Sequence, residues 1–170
     1  DINDVIMGCV LPAGMGQAPA RQASLGAGIP EAVGCTTINK MCGSGMKATM
    51  MAHDAILAGT NDIAIAGGFE SMTNAPYLLD RARGGYRMGH GQVYDHMFLD
   101  GLEDAYKPGR LMGTFAEETA RHYQFTREAQ DEFAITSLKR ARQASEDGTA
   151  AAEIVPVTVK GRKGDTVVEH

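Results

Sequence analysis

The sequence of 170 residues predicts an α/β fold in which helices lie against a sheet. Three short apolar stretches favour β-strands and alternate with two stretches that favour helices, so the predicted order is strand, helix, strand, helix, strand. Strands that are separated by helices pair in parallel through crossover connections. Hydrophobic residues make up 44% of the chain, which provides enough apolar material for a packed core and argues against disorder.

These five elements come first in the chain. Pro19 suits the first position of a helix, because its missing N–H would have no partner there. Residues 59–61, Gly-Thr-Asn, end the second helix. The third strand runs into Gly67, at the carboxyl edge where α/β proteins bind ligands. The predicted bounds of the five elements are 4–11, 19–25, 35–39, 43–58 and 62–66.

The chain changes character after Asn74. Residues 75–112 are rich in Gly, Arg, Tyr, Met and Pro and show weak periodicity. A loop of this length inside a compact domain is usually functional or forms an inserted subdomain.

Two helices are predicted after this loop, at residues 112–123 and 127–147. Thr126 suits the N-cap of the second helix, and Gly148 suits its end. Apolar positions on the second helix predict a buried stripe, formed by Ala129, Phe133, Ala134, Ser137, Leu138 and Ala141.

The last predicted elements are strands. Residues 153–159 favour a strand, and residues 167–168 can pair with it across the turn at 161–164. We expect the final residue, His170, to fall within a strand.

Charge and composition argue against several classes of function. The formal net charge is −5, with both signs interspersed, whereas a nucleic-acid surface needs a basic face. No apolar run approaches the roughly 20 residues that span a bilayer, and no signal peptide is visible. We therefore expect a cytoplasmic protein that binds neither nucleic acid nor membrane. Because the chain begins at Asp1, the presence of an organellar leader before this residue stays an open alternative.

The chain has three cysteines, an odd and low number that suits a reducing compartment. No Cys-x-x-Cys or His-x-His cluster is present, so we expect no metal. Cys9 and Cys35 fall within apolar strand patterns, which predicts that both belong to the core.

Cys42 is different, because it lies between a predicted strand and a predicted helix. The free N–H groups and the dipole at a helix N-terminus favour an anion, and hence the thiolate form of a cysteine. Gly43 and Gly45 allow a tight backbone and leave space for a substrate. The context predicts a covalent nucleophile. The alternative is that Cys42 is a small buried apolar residue.

A nucleophilic cysteine needs a base, usually histidine. His53 lies 11 residues along the helix from Cys42, roughly 16 Å away at 1.5 Å per residue, and cannot reach the sulfur. His90 and His96 lie in the long loop, whereas the histidines at 122 and 170 lie at a helix end and at the chain terminus. Either the fold brings His90 or His96 to the cysteine, or the base does not lie in this chain.

Several motifs together identify a family. Residues 39–48, Asn-Lys-Met-Cys-Gly-Ser-Gly-Met-Lys-Ala, resemble the nucleophile segment of the thiolases, the family of acetyl-CoA acetyltransferase and 3-ketoacyl-CoA thiolase. Other segments resemble the same family in the same order, at residues 10–14, 17–22, 66–76, 112–117 and 153–157. The resemblance covers essentially the whole chain.

The resemblance implies roles for particular residues. Cys42 matches the acyl-accepting nucleophile, whose own backbone N–H supplies one donor of an oxyanion hole. Met112 matches a methionine that lines the acyl pocket. Leu111 stands where biosynthetic members of the family often have histidine, which puts contacts to the coenzyme A arm and the chain-length assignment in question.

The resemblance also implies an assembly. Residues 78–96, with the basic cluster Arg81, Arg83 and Arg87, match the loop through which family tetramers associate. We therefore expect a homo-oligomer, a dimer or tetramer, in the full-length protein. The alternative interpretation of the basic cluster is a solvated surface.

A whole thiolase is more than twice as long as this chain, so the expected fold is an incomplete, layered N-terminal α/β domain (1–74, mixed sheet with helices) and most of the inserted α+β loop domain (75–170). The family's base and its second, acid/base cysteine lie in segments that this sequence does not match. The implied reaction is ping-pong condensation of two acetyl-CoA molecules to acetoacetyl-CoA, or the reverse thiolysis. Coenzyme A enters as part of the substrate, and no other cofactor or metal is expected.

Two alternatives stay open. One is degradative thiolysis of longer 3-ketoacyl-CoA substrates. The other is a truncated product or fragment without turnover, and we expect the 170-residue chain alone to be inactive.

Overall fold

The computed structural model describes residues 1–169. The chain forms two compact units, the first of residues 1–112 and the second beginning at Gly113. This division reflects compactness and does not coincide with the boundary at residues 74 and 75, so the assignment of domains 1–74 and 75–170 stays a prediction. The histidine at position 170, which we expected within a strand, lies outside the described residues.

The first unit begins with the predicted alternation of strands and helices, which the structure confirms. The elements are β1 (Asp4–Gly8), α1 (Pro19–Gly26), β2 (Gly34–Ile38), α2 (Ser44–Leu57) and β3 (Ala64–Gly68). The three strands form one parallel sheet in the order β2-β1-β3. Gly8 pairs with Ile38 on one side and Gly68 on the other. The carboxyl ends of all three strands therefore lie level at one edge of the sheet.

The core of this unit lies between β1 and α2. Ile6 is buried against Ala48 and Ala52 of the helix. Because side chains alternate along a strand, Gly8 points to the same side as Ile6, toward the start of α2. An apolar contact in the middle of the helix and a glycine near its first turn thus fix how α2 lies on the sheet.

Short elements that the sequence did not predict occupy the long loop. β4 (Tyr77–Leu78) and β5 (Tyr94–Asp95) pair in an antiparallel manner. A π-helical segment, Phe98–Leu102, follows β5. Elements of two to five residues are too short to produce a readable periodicity in the sequence.

The second part of the chain has the predicted two helices and a strand pair. They are α3 (Met112–His122), α4 (Arg127–Glu146), β6 (Val157–Val159) and β7 (Thr166–Val168). Thr126 caps α4 as predicted, since its Oγ1 accepts a hydrogen bond of 3.1 Å from the N–H of Ala129. β6 and β7 form the predicted antiparallel pair.

The predicted burial of the α4 stripe is wrong. Phe133 is 80% exposed and Leu138 is 61% exposed, and none of the described residues of α4 is buried. Periodicity correctly indicates which face of α4 is apolar. It does not ensure that another element covers this face, and no described element of the second unit buries it. None of the described helices is long and apolar enough to span a bilayer.

Candidate active site

Cys42 lies at the turn between β2 and α2, directly before the N-cap residue Gly43. This is the strand-to-helix position that the sequence predicts. The three thiols differ in accessibility, because Cys42 is exposed, Cys35 is partly buried and Cys9 is buried. Cys42 is therefore the one of the three thiols that is open to solvent.

The backbone turn at Cys42 is held by side chains on both sides of it. Ser44 Oγ donates a hydrogen bond of 2.6 Å to the carbonyl of Met41 and accepts one of 2.8 Å from the N–H of Lys40. Asn39 Oδ1 accepts a further bond of 2.9 Å from the N–H of Met41. Met41 has a φ of 49°, a left-handed conformation that costs a non-glycine residue roughly 1–2 kcal/mol. These hydrogen bonds offset that cost and fix the direction of the turn.

Glycines bring the start of α2 against the ends of the strands. A Cβ on Gly8 would lie 2.5 Å from Ser44 Cβ and 2.8 Å from the nitrogen of Gly45. A Cβ on Gly68 would lie 3.2 Å from the carbonyl oxygen of Gly8. Sequence reasoning pointed to Gly43 and Gly45 as the glycines that matter here. However, a Cβ on Gly45 would make only an ordinary contact, 3.7 Å from the carbonyl oxygen of Gly67. The tightest contact falls instead on Gly8, a glycine inside a strand, which is a known sign of close approach.

A shallow hollow of about 260 Å³ opens beside Cys42. Its other walls come from the ends of β1 and β3, and include Gly8, Val10, Gly68, Phe69 and Glu70. The cysteine therefore faces a concave surface that is built from the strand ends and is open to solvent.

Glu70 is the ionisable wall residue that sequence reasoning did not single out. Its Oε2 accepts a hydrogen bond of 2.8 Å from the N–H of Val10, and its Oε1 accepts one of 2.8 Å from the N–H of Leu11. The thiol of Cys9 lies 3.5 Å from Oε1. Burial raises the pKa of the Cys9 thiol, and the charge and hydrogen bond of Glu70 raise this pKa further. Cys9 is thus kept protonated, as expected of a core residue.

The first unit does not bring a histidine to Cys42. His96 is buried, with Nδ1 2.5 Å from Asp100 Oδ2 and Nε2 3.4 Å from the N–H of Ala13. His90 lines a different hollow, beside Tyr86. None of the histidines of the first unit lines the hollow at Cys42.

The remaining predicted site residues lie elsewhere in the chain. Leu111 forms a β-bridge with Glu103, and Met112 begins α3; neither lines the hollow at Cys42. Their proposed contacts with substrate stay predictions. The basic cluster Arg81, Arg83 and Arg87 is exposed, and Arg81 Nε lies 3.7 Å from Asp80 Oδ2. This exposure suits both an oligomer contact and a solvated surface.

Comparison with known proteins agrees with the family resemblance of the sequence motifs. The family described as the N-terminal domain of thiolase matches residues 1–170. The chain is 51% identical over 166 residues to an acetyl-CoA acetyltransferase of Cupriavidus necator, covering 98% of this chain and 42% of that protein. It is 51% identical over 170 residues to acetyl-CoA acetyltransferase 2 of Arabidopsis thaliana, covering 99% and 42%. It is also 48% identical over 168 residues to a probable acetyl-CoA acyltransferase of Staphylococcus epidermidis, covering 99% and 42%.

A solved structure is similar along most of the chain. It is the crystal structure of a thiolase from Ascaris suum in complex with coenzyme A, with a TM-score of 0.84 and 44% sequence identity. The similarity covers 92% of this chain and 40% of that one. The chain thus spans about 42% of the length of the curated relatives it matches.

Proposed function

This chain belongs to the thiolase family, and on that premise we propose that Cys42 is the nucleophile of an acyl-CoA C-acyltransferase. The observation that carries the proposal is the position of this exposed thiol, directly before the N-cap residue of α2 and beside a hollow that the ends of β1 and β3 line. Such a position leaves the sulfur accessible to a thioester. A metal is not needed for this step.

The proposed reaction has two half-reactions at the same sulfur. The Cys42 thiolate attacks the thioester carbonyl of acetyl-CoA, the bond to coenzyme A breaks, and an acetyl group remains on the sulfur as a thioester. A second acetyl-CoA loses a proton from its α-carbon to a base that we propose to lie in another segment of the protein, and this proton balances the coenzyme A thiolate released in the first half-reaction. The resulting carbanion attacks the carbonyl of the Cys42 thioester. Acetoacetyl-CoA leaves and the Cys42 thiolate is restored. The backbone N–H of Cys42 is proposed as one donor to the oxyanion that forms in both steps.

The proposal of acetyl-CoA as the substrate rests on the names of similar proteins. The proteins from Cupriavidus necator and Arabidopsis thaliana are named acetyl-CoA acetyltransferases, and the similar structure holds coenzyme A. An acyl-CoA substrate follows as a proposal for the protein that carries this chain, and a homo-oligomer, a dimer or tetramer, is proposed with it. The exposed cluster Arg81, Arg83 and Arg87 is the proposed contact between subunits.

We further propose that residues 1–170 acquire an acetyl group without completing the cycle. The histidines of the first unit do not line the Cys42 hollow, and the buried one, His96, already interacts with Asp100 and Ala13. The relatives are more than twice as long, so a base from another segment of such a protein is the proposed partner of Cys42.

The test is thiolysis of acetoacetyl-CoA by a protein of the relatives' length that carries this chain. Cys42→Ala is expected to lower kcat at least about a thousandfold, since it removes the covalent step. Cys35→Ala is the matched control and should retain activity within about twofold. A Cys42→Ala protein with the activity of the parent would refute the assignment of Cys42 as the nucleophile.

A second candidate is thiolysis of longer 3-ketoacyl-CoA substrates. The observation in its favour is Leu111, an apolar residue at a position where biosynthetic relatives of the family often have histidine. Comparing kcat/KM for acetoacetyl-CoA and for a 3-ketoacyl-CoA with a long chain separates the two. A preference for the long chain would overturn the choice of acetoacetyl-CoA and leave the role of Cys42 intact.

A further inference from the structure

The Glu70 carboxylate binds two successive backbone N–H groups. Oε2 accepts from Val10 and Oε1 accepts from Leu11, both at 2.8 Å. Each oxygen therefore has its own donor. Hydrogen bonds to an ionised acceptor of this kind are about twice as strong as neutral ones.

These two donors lie where the sheet no longer holds the chain. The parallel ladder of β1 ends at Gly8, and Cys9 makes one more sheet-like bond, from its N–H to the carbonyl of Ile38 at 3.0 Å. Beyond that point, the Glu70 carboxylate takes the place of a neighbouring strand and accepts hydrogen bonds from the backbone that follows β1. One side chain thus fixes the segment that leaves the sheet at this edge.

The same segment forms one wall of the hollow at Cys42. Val10 and Glu70 both line it, together with Gly8. Gly8 in turn lies against the start of α2, because a Cβ there would be 2.5 Å from Ser44 Cβ. A shift of residues 8–11 would therefore change both the shape of the hollow and the support of the turn that holds Cys42.

We propose that Glu70 is a positioning residue of the acyl-transfer site, which fixes one wall of the hollow at Cys42 through its bonds to Val10 and Leu11. The inference rests on the proposed function for its effect on acetyl transfer. Its structural part, the fixing of the two backbone N–H groups, stands independently of the reaction. Glu70 acts through the backbone and does not exchange a proton with substrate in this proposal.

Glu70→Gln is the appropriate change, because glutamine has the same length and shape. A carboxamide has one acceptor oxygen, and its NH2 group is a donor. One backbone N–H would keep a partner and the other would face a second donor. Glu31→Gln is the matched control, since Glu31 is an exposed glutamate on a loop of the same unit.

Two measurements on the 170-residue chain test the inference. The first is amide hydrogen exchange, in which at least one of Val10 and Leu11, the one whose N–H loses its acceptor, should exchange at least about tenfold faster in Glu70→Gln, while Ala48 and Ala52 in α2 keep their protection. The second is the rate at which acetyl-CoA acetylates Cys42, compared with the rate at which iodoacetamide alkylates it. Acetylation requires the hollow, whereas the small neutral reagent requires only an exposed thiolate.

Glu70→Gln is expected to slow acetylation at least about tenfold and to change alkylation by less than about twofold, while Glu31→Gln changes neither. Unchanged exchange at Val10 and Leu11 would overturn the inference. Equal losses in acetylation and alkylation, with lost protection in α2, would also overturn it, because they indicate general unfolding. If the parent chain accepts no acetyl group at Cys42, the proposed function fails, and the exchange experiment alone decides whether Glu70 fixes the wall.

Discussion

Ser44 Oγ donates a hydrogen bond of 2.6 Å to the carbonyl of Met41, so that the two residues close the turn around Cys42. The same hydroxyl accepts from Lys40 N at 2.8 Å. Ser44 is buried, and it is the first residue of α2. A single side chain therefore links the left-handed Met41 to the start of the helix, and Cys42 lies between them.

Ser44→Ala should loosen this turn. The substitution removes both hydrogen bonds, each of which contributes about 0.5–1.5 kcal/mol to the free energy of unfolding. Urea unfolding followed by circular dichroism measures the change. Ser24→Ala is the matched control, because Ser24 is also buried and its Oγ has no hydrogen-bond partner among the described residues. A cost for Ser44→Ala no larger than that for Ser24→Ala would contradict the proposed role of the hydroxyl.

Gly8→Ala should be destabilising because there is no space for a methyl group. The new Cβ would lie 2.5 Å from Ser44 Cβ and 2.8 Å from the nitrogen of Gly45, and the second of these is backbone that cannot rotate away. We expect a loss of about 1–3 kcal/mol in the free energy of unfolding, with a displaced start of α2. Gly26→Ala, at a glycine with no atom within 4 Å of the added Cβ, should be close to neutral. Equal stabilities of the two variants would show that α2 does not depend on this close approach.

The three thiols should react in the order of their exposure. Iodoacetamide should alkylate Cys42 first and Cys9 last, because Cys42 is exposed and Cys9 is buried with a raised pKa. Peptide mass spectrometry at successive times gives the three rates under native conditions. Unfolding in urea is the control, and it should bring the rates together. Alkylation of Cys9 before Cys42 in the native chain would contradict the described arrangement.

The raised pKa of the Cys9 thiol predicts that the free energy of unfolding decreases at alkaline pH. Burial raises the pKa of the Cys9 thiol above its ordinary value of 9.0, and the charge and hydrogen bond of Glu70 raise this pKa further, to a smaller extent. The unfolded state therefore releases this proton at lower pH than the folded state, so the stabilising contribution is complete below about pH 9 and is lost as pH rises through the raised pKa. Cys9→Ala should show a shallower fall in the free energy of unfolding above pH 9 than the parent. If the free energy of unfolding falls with the same slope above pH 9 in both proteins, the raised pKa of Cys9 is contradicted.

Much of the first unit could be predicted from the sequence because its signals are local. Pro19 begins α1 as expected, and α2 starts at Ser44, within one residue of the predicted start. The apolar stripe of α4 shows the limit of this reasoning. Its residues have the right spacing, yet Phe133 is 80% exposed, because burial depends on a covering element and not on the helix itself.

The candidate site divides in the same way. Cys42 could be predicted, since the sequence places it between a strand and a helix. The supporting residues could not, because their roles depend on contacts between distant parts of the chain. Glu70 accepts from backbone 59 and 60 residues away, and Gly8 touches a helix that begins at Ser44. A polar residue after a strand and a glycine within one are weak signals until the fold joins them.

The most direct test of the central claim is the site of acetylation after the 170-residue chain is mixed with acetyl-CoA. Intact mass followed by peptide mass spectrometry identifies the modified residue, with Cys42→Ala and Cys35→Ala as paired variants. We predict one acetyl group on Cys42 in the parent and in Cys35→Ala, and none in Cys42→Ala. An acetyl group on Cys9 or Cys35 in the parent, or an unmodified Cys42, would contradict the assignment of Cys42 as the acyl carrier.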